Sequence, residues 1–213
     1  MKKNGFTLIE LLVGLVIAML CMIMMLMLFR QISQVSLEAS FDAEYNTQVQ
    51  IGMLILQKVI QNAGYGSGNA NDIAMDASKD ILYLRFIPDI TTPTILKCQA
   101  ILSNNDIENK EYQLYLLENT KNCGTDADLK TSSIWNSTHT TRSPLITIKN
   151  KNIEATTAPV FSFKVENLTG GKKCTPYGIS KDNPSGSKYV TVTAKGQYSS
   201  VKQVRSSICL NNI

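Results

Sequence analysis

The chain has 213 residues, 44% of them apolar and 18% charged, with a formal net charge of +4. That length suits one globular domain with an added element rather than two large domains, since single domains commonly run ~100–200 residues. The apolar share excludes a disordered chain, its concentration in one stretch excludes a multi-span membrane protein, and the near-balanced charge gives no support to a dedicated nucleic-acid binder.

Lys2 and Lys3 open the chain, and the run from Phe6 to Phe29 then holds one acid, Glu10, and no base. A helix rising ~1.5 Å per residue over this run covers the ~30 Å hydrocarbon layer of a bilayer. A cleaved secretory signal would be shorter and would end in small residues, whereas this run stays rich in Met and Leu up to Phe29 and Arg30. With two bases before the run and only Arg30 just after it, the positive-inside bias places the amino terminus in the cytoplasm and the chain from Arg30 onward outside.

Glu10 is the anomaly of the run. A carboxylate in a membrane helix costs ~2.5–3.5 kcal/mol near the centre and less toward the interface, so it calls for a partner. If the chain were to begin at Phe6, its amine would be a cation four residues before Glu10, about one helical turn away. A neighbouring subunit could supply the same amine. The bland alternative is an acid at the headgroup boundary that is simply hydrated or protonated.

Met1-Lys2-Lys3-Asn4-Gly5-Phe6-Thr7-Leu8-Ile9-Glu10-Leu11-Leu12-Val13 resembles the amino terminus of type IV prepilins and type II secretion pseudopilins. The resemblance implies a leader of residues 1–5, cleavage between Gly5 and Phe6 by a prepilin peptidase, methylation of the new Phe6 amine, and an assembly contact through Glu10. It also implies partners among major and minor pilins and the pilus assembly machinery of the inner membrane. Many major pilins interrupt the following helix with Gly or Pro. Here Gly14 is the only glycine in the run and the first proline is Pro88, so the helix reads as stiffer.

Past Arg30 a helical period continues, with Phe41, Tyr45, Val49, Met53, Leu56 and Ile60 spaced by three or four and polar residues mostly off that line. The span, 6–29, and this amphipathic half, 30–63, are therefore expected to form one helix from about Phe6 to Ala63, its seam buried against its own domain. Gly64-Tyr65-Gly66-Ser67-Gly68 ends it, and no phosphate loop follows. Leu54 to Tyr65, closing on Ala63-Gly64-Tyr65, resembles the end of the long helix in PilW-type minor pilins.

The remainder, 64–213, reads as a β-rich head. Strands are expected at Ile81 to Ile87, Ile95 to Ile101, Tyr112 to Leu117, Leu145 to Ile148, Val160 to Val165, Tyr189 to Ala194 and Val204 to Leu210, between loops rich in Asn, Gly, Pro and Ser. The predicted class is α+β and pilin-like, with an antiparallel sheet packing one face on the long helix.

Of five cysteines, Cys98, Cys123, Cys174 and Cys209 lie in the exported part and Cys21 lies in the span. No CxxC spacing occurs and the single histidine, His139, supplies a zinc site poorly, so two disulfides are expected in an oxidising compartment. Four cysteines allow three pairings. We favour Cys98 with Cys123 and Cys174 with Cys209, the first closing an excursion around Tyr112 to Leu117 and the second tying a loop to the final strand.

Other candidates weaken on inspection. Asp126 and Asp128 alternate like calcium ligands but lack the glycine and distal glutamate of an EF-hand loop, so no metal or other cofactor is expected. His139 sits in a polar stretch without an identifiable carboxylate, and no set of nucleophile, base and metal can be assembled for an enzyme. Lys172, Lys173, Lys181 and Lys188 form a loose basic cluster with only Tyr177 for stacking, which leaves nucleic acid an unsupported partner. The expected function is that of a minor pilin in type IV pilus assembly or priming, anchored in a bacterial inner membrane with a periplasmic head. The alternatives are a type II secretion pseudopilin and a pilus-tip adhesin or DNA-uptake subunit.

Overall fold

The computed structural model describes residues 7–121, 123–124, 127–136, 138–149, 159–168, 186–196 and 203–213. One helix, α1, runs over Leu8–Ile60. The chain divides into two units, Met1–Glu44 and Tyr45–Ile213, and α1 contributes to both.

In the first unit every residue from Leu8 to Phe29 is exposed. Among the described residues α1 is the one helix long and apolar enough to cross a membrane. Of the expected seam, Tyr45, Val49, Leu56 and Ile60 are buried and Met53 packs partly against the core, but Phe41 keeps 42% of its surface. Periodicity alone put Phe41 in line with the others. It belongs to the first unit, which has no sheet of its own to cover it.

Among its described residues the second unit contains two antiparallel sheets rather than the single sheet expected. β1 (Ile73–Asp76), β2 (Ile81–Phe86), β3 (Lys97–Asp106), β4 (Glu111–Asn119) and β5 (Thr141–Lys149) pair in chain order. β6 (Phe161–Asn167), β7 (Lys188–Ala194) and β8 (Val204–Leu210) form the other. Alternation marks which face of a strand is buried but not which strand lies beside it, so it does not separate one sheet from two.

The period of two places the core. Val165, Val190 and Ile208 align across the small sheet, as do Phe163 and Val192. Their apolar side joins Leu82, Leu84, Ile101, Leu114 and Ile148 of the large sheet and Tyr45, Val49, Leu56 and Ile60 of α1 in one cluster. Gly52 lets the helix backbone approach, because a Cβ there would lie 2.6 Å from Cζ of Phe161. At the helix end Gly64 takes φ 72° and donates its N–H to the Arg85 carbonyl at 2.9 Å. Glycine adopts that left-handed conformation at little cost.

A second apolar layer covers the other face of the large sheet. Tyr83, Cys98 and Ala100 point away from α1's cluster and pack with Cys123 and Leu129, and Leu117 and Trp135, partly buried, pack against them. Trp135 ends the short helix α2 (Ser132–Trp135), stacks obliquely 5.5 Å from Tyr83, and donates its indole N–H to the Leu129 carbonyl at 2.8 Å. β5 begins four residues earlier than expected and carries Pro144 where the β4–β5 register shifts. An edge position tolerates a proline, which cannot donate to the ladder.

Candidate functional site: the helix start and the buried row of the head

Gly5 and Phe6, the expected processing residues, lie outside the described residues. Thr7 stands immediately before the first residue of α1, and Glu10 occupies its first turn. The Thr7 N–H and Oγ1 both donate to Glu10 Oε2, at 3.0 and 2.9 Å. A glutamate three residues into a helix reaches back in this way to the donors that the helix itself leaves unpaired. An acid is also favoured beside the positive end of the helix dipole. The structure thus gives Glu10 a partner from its own first turn. Thr7 was not singled out in the sequence, although Thr-x-x-Glu ahead of an apolar run is the pattern that would have found it.

In the head, Arg85 of β2, Cys98 of β3 and Asn119 of β4 are register neighbours across three strands. All three are buried, at 1%, 0% and 1% exposure. Arg85 Nε donates to Asp72 Oδ1 at 2.7 Å, its Nη1 donates to the carbonyls of Ala127, at 3.2 Å, and Gly124, and Ser67 Oγ donates to Asp72 Oδ2. Cys98 forms a disulfide with Cys123, their Cα atoms 5.8 Å apart. Asn119 Nδ2 donates to the Ile134 carbonyl at 2.6 Å, and its Oδ1 accepts the Lys121 N–H at 2.9 Å. A charged residue in a buried strand is tolerated when it is paired and hydrogen-bonded, and Asp72 and the two carbonyls supply partners to Arg85 Nε and Nη1. Strand periodicity does not announce such a pair.

Cys209 on β8 is also disulfide-bonded; the expected partner, Cys174, lies outside the described residues. Cys21 is free and exposed. The Ala127 carbonyl accepts from a guanidinium, and Asp128 Oδ1 accepts the Lys130 N–H at 3.0 Å. Asp126 lies outside the described residues, among which no group of three His, Cys, Asp or Glu side chains could hold a metal. A cleft of about 500 Å³ beside Arg85 is lined by Asn69, Asn71, Asp128 and Leu129 as well. His139 is exposed on a turn. Lys188 donates to the Ala70 carbonyl, while Lys172, Lys173, Lys181 and Tyr177 lie outside the described residues. Tyr45 donates its hydroxyl to the Lys195 carbonyl at 2.9 Å, and burial, then the neighbouring Tyr112, push its phenol well above the usual range.

No curated protein and no solved structure matches the chain. Residues 1–26 match the family model described as the prokaryotic N-terminal methylation motif. That motif implies processing by a prepilin peptidase and contact with pilin assembly machinery. Joined to an exposed apolar helix and an antiparallel head, it supports a type IV pilin-like or pseudopilin chain.

Proposed function

We propose that the chain is a minor pilin of the PilW type that takes part in assembling or priming a type IV pilus. Residues 1–5 are its leader, 6–29 its span and filament-core segment, 30–63 the rest of the helix and 64–213 a periplasmic head. The peptidase cuts between Gly5 and Phe6 on the cytoplasmic side of the inner membrane. The new Phe6 amine then competes with Thr7 for the Glu10 carboxylate, either within the chain or from the helix of a neighbouring pilin.

The match of residues 1–26 to the methylation motif carries this reading. The apolar helix that follows supplies a packing surface, and a disulfide in the head suits an oxidising compartment. PilW-type membership rests on Ala63-Gly64-Tyr65 at the helix end. A type II secretion pseudopilin shares the first thirteen residues and is the rival to be separated by the subunits that co-purify with the chain.

Gly5 has to be small for the peptidase to reach the scissile bond. Gly5→Arg is expected to leave a precursor that retains its leader, read by intact mass. Mature-sized protein in that variant would overturn the prepilin reading.

A further inference from the structure

Arg85, Cys98 and Asn119 stand side by side on one face of the large sheet, and each holds the same connection between β4 and β5. Cys98 holds it covalently at Cys123. On one side of the bond Arg85 Nη1 grips the carbonyls of Gly124 and Ala127. On the other, Asn119 grips Lys121 and Ile134. Both sulfur-bearing residues are buried, Cys98 at 0% and Cys123 at 3% exposure. Burial bars a thiol reagent from the sulfurs, and Arg85 holds the carbonyl of Gly124, the residue next to Cys123.

We propose that Arg85, anchored by Asp72, is a latch that guards the Cys98–Cys123 disulfide and makes the closure of this face redox-sensitive. With the latch shut, the sulfurs are shielded and Leu129 and Trp135 stay packed on Tyr83. Reduction proceeds when the latch is open. The thiolate of a dithiol reductant attacks one sulfur, the other cysteine leaves as a thiolate and takes up a proton, and the reductant's second thiolate breaks the mixed disulfide. Two electrons pass to the protein, which ends with two thiols, while the reductant ends as a cyclic disulfide. A small-molecule disulfide drives the reverse step by exchange. Without the bond the outer apolar layer loses its covalent hold, so oxidation state and burial of that layer change together.

The test uses the full chain in detergent micelles with dithiothreitol as the probe. Alkylation and peptide mass spectrometry follow the Cys98–Cys123 bond and, separately, the disulfide of Cys209. Trp135, the chain's single tryptophan, reports the outer layer by its emission. In Arg85→Lys, which keeps the charge but loses the forked reach to two carbonyls, the Cys98–Cys123 bond should be reduced at least tenfold faster than in the wild type. The Cys209 disulfide should react at its wild-type rate, and Trp135 emission should move to longer wavelength in step with the first bond alone. Equal rates for Cys98–Cys123 in wild type and variant would overturn the proposal, as would acceleration of both disulfides by the same factor, which marks general loosening. If Arg85→Lys does not accumulate as folded protein, Asp72→Asn, which leaves the guanidinium in place but weakens its anchor, is held to the same outcomes.

Discussion

Glu10 and Thr7 form a closed hydrogen-bonded turn at the start of an apolar helix, and that turn sets what a substitution there can reveal. Glu10→Ala removes the acceptor of both Thr7 donors but makes the run more apolar, so cleavage and insertion are expected to persist. Crosslinking to partner pilins is expected to fall about tenfold, the effect of losing ~1.4 kcal/mol of contact free energy. Wild-type crosslinking in Glu10→Ala would remove Glu10 from assembly. Gly52 poses a different balance. Alanine gains ~1 kcal/mol of helix propensity over glycine, but its Cβ would meet the ring of Phe161, itself only 2% exposed, at 2.6 Å. Overpacking of a tight core costs ~1–3 kcal/mol. Gly52→Ala is therefore expected to lower the melting temperature, and adding Phe161→Leu to recover part of the loss. A melt at or above the wild-type temperature for Gly52→Ala alone would show that the ring moves aside freely.

At the scale of elements, α1 and seven of the eight strands among the described residues were legible because their side chains repeat with the period of the backbone. The helix showed spacing of three and four from Tyr45 to Ile60, and β6 and β7 showed strict alternation in Phe161, Phe163, Val190 and Val192. β1 escaped because its four residues include only one buried side chain, Ile73, too few to establish a period. α2 and the outer layer escaped because their apolar residues, Leu129, Ile134 and Trp135, stand among Thr, Ser and Asn and are gathered by a disulfide and by hydrogen bonds to Asn119, not by a repeat. The candidate site divides in the same way. Glu10 stood out as an acid in an apolar run and Thr7 was legible from the Thr-x-x-Glu spacing beside it, whereas Arg85, Asp72 and Asn119 acquire their roles from neighbours distant in sequence.

The same element offers a test of how the head is completed. A fragment beginning near Arg30 keeps Tyr45, Val49, Leu56 and Ile60, and is expected to be soluble and to melt cooperatively. One beginning at Gly64 loses them and uncovers apolar side chains of both sheets, including Phe161, Leu84 and Val192. Each large side chain left unburied forfeits ~1.5–3 kcal/mol, so the shorter fragment is expected to aggregate or to bind hydrophobic dyes. A stable monomer from residue 64 onward with an unchanged melt would show that the sheets close without α1.

On the scale of the whole molecule, the proposed assembling subunit combines an amino-terminal methylation motif, an exposed apolar helix and a head that carries a disulfide. An exposed apolar stretch of this length has to be covered by lipid or by other helices, because soluble monomers rarely expose large apolar patches. Under the proposed function, removal of residues 1–5 decides whether that helix starts with an amine that can meet Glu10. The most direct measurement is mass spectrometry of the amino-terminal peptide of the wild-type chain isolated from native membranes. The expected peptide begins at Phe6 and carries a methylated amine. A chain that retains Met1-Lys2-Lys3-Asn4-Gly5, or that is cut at another bond, would contradict it.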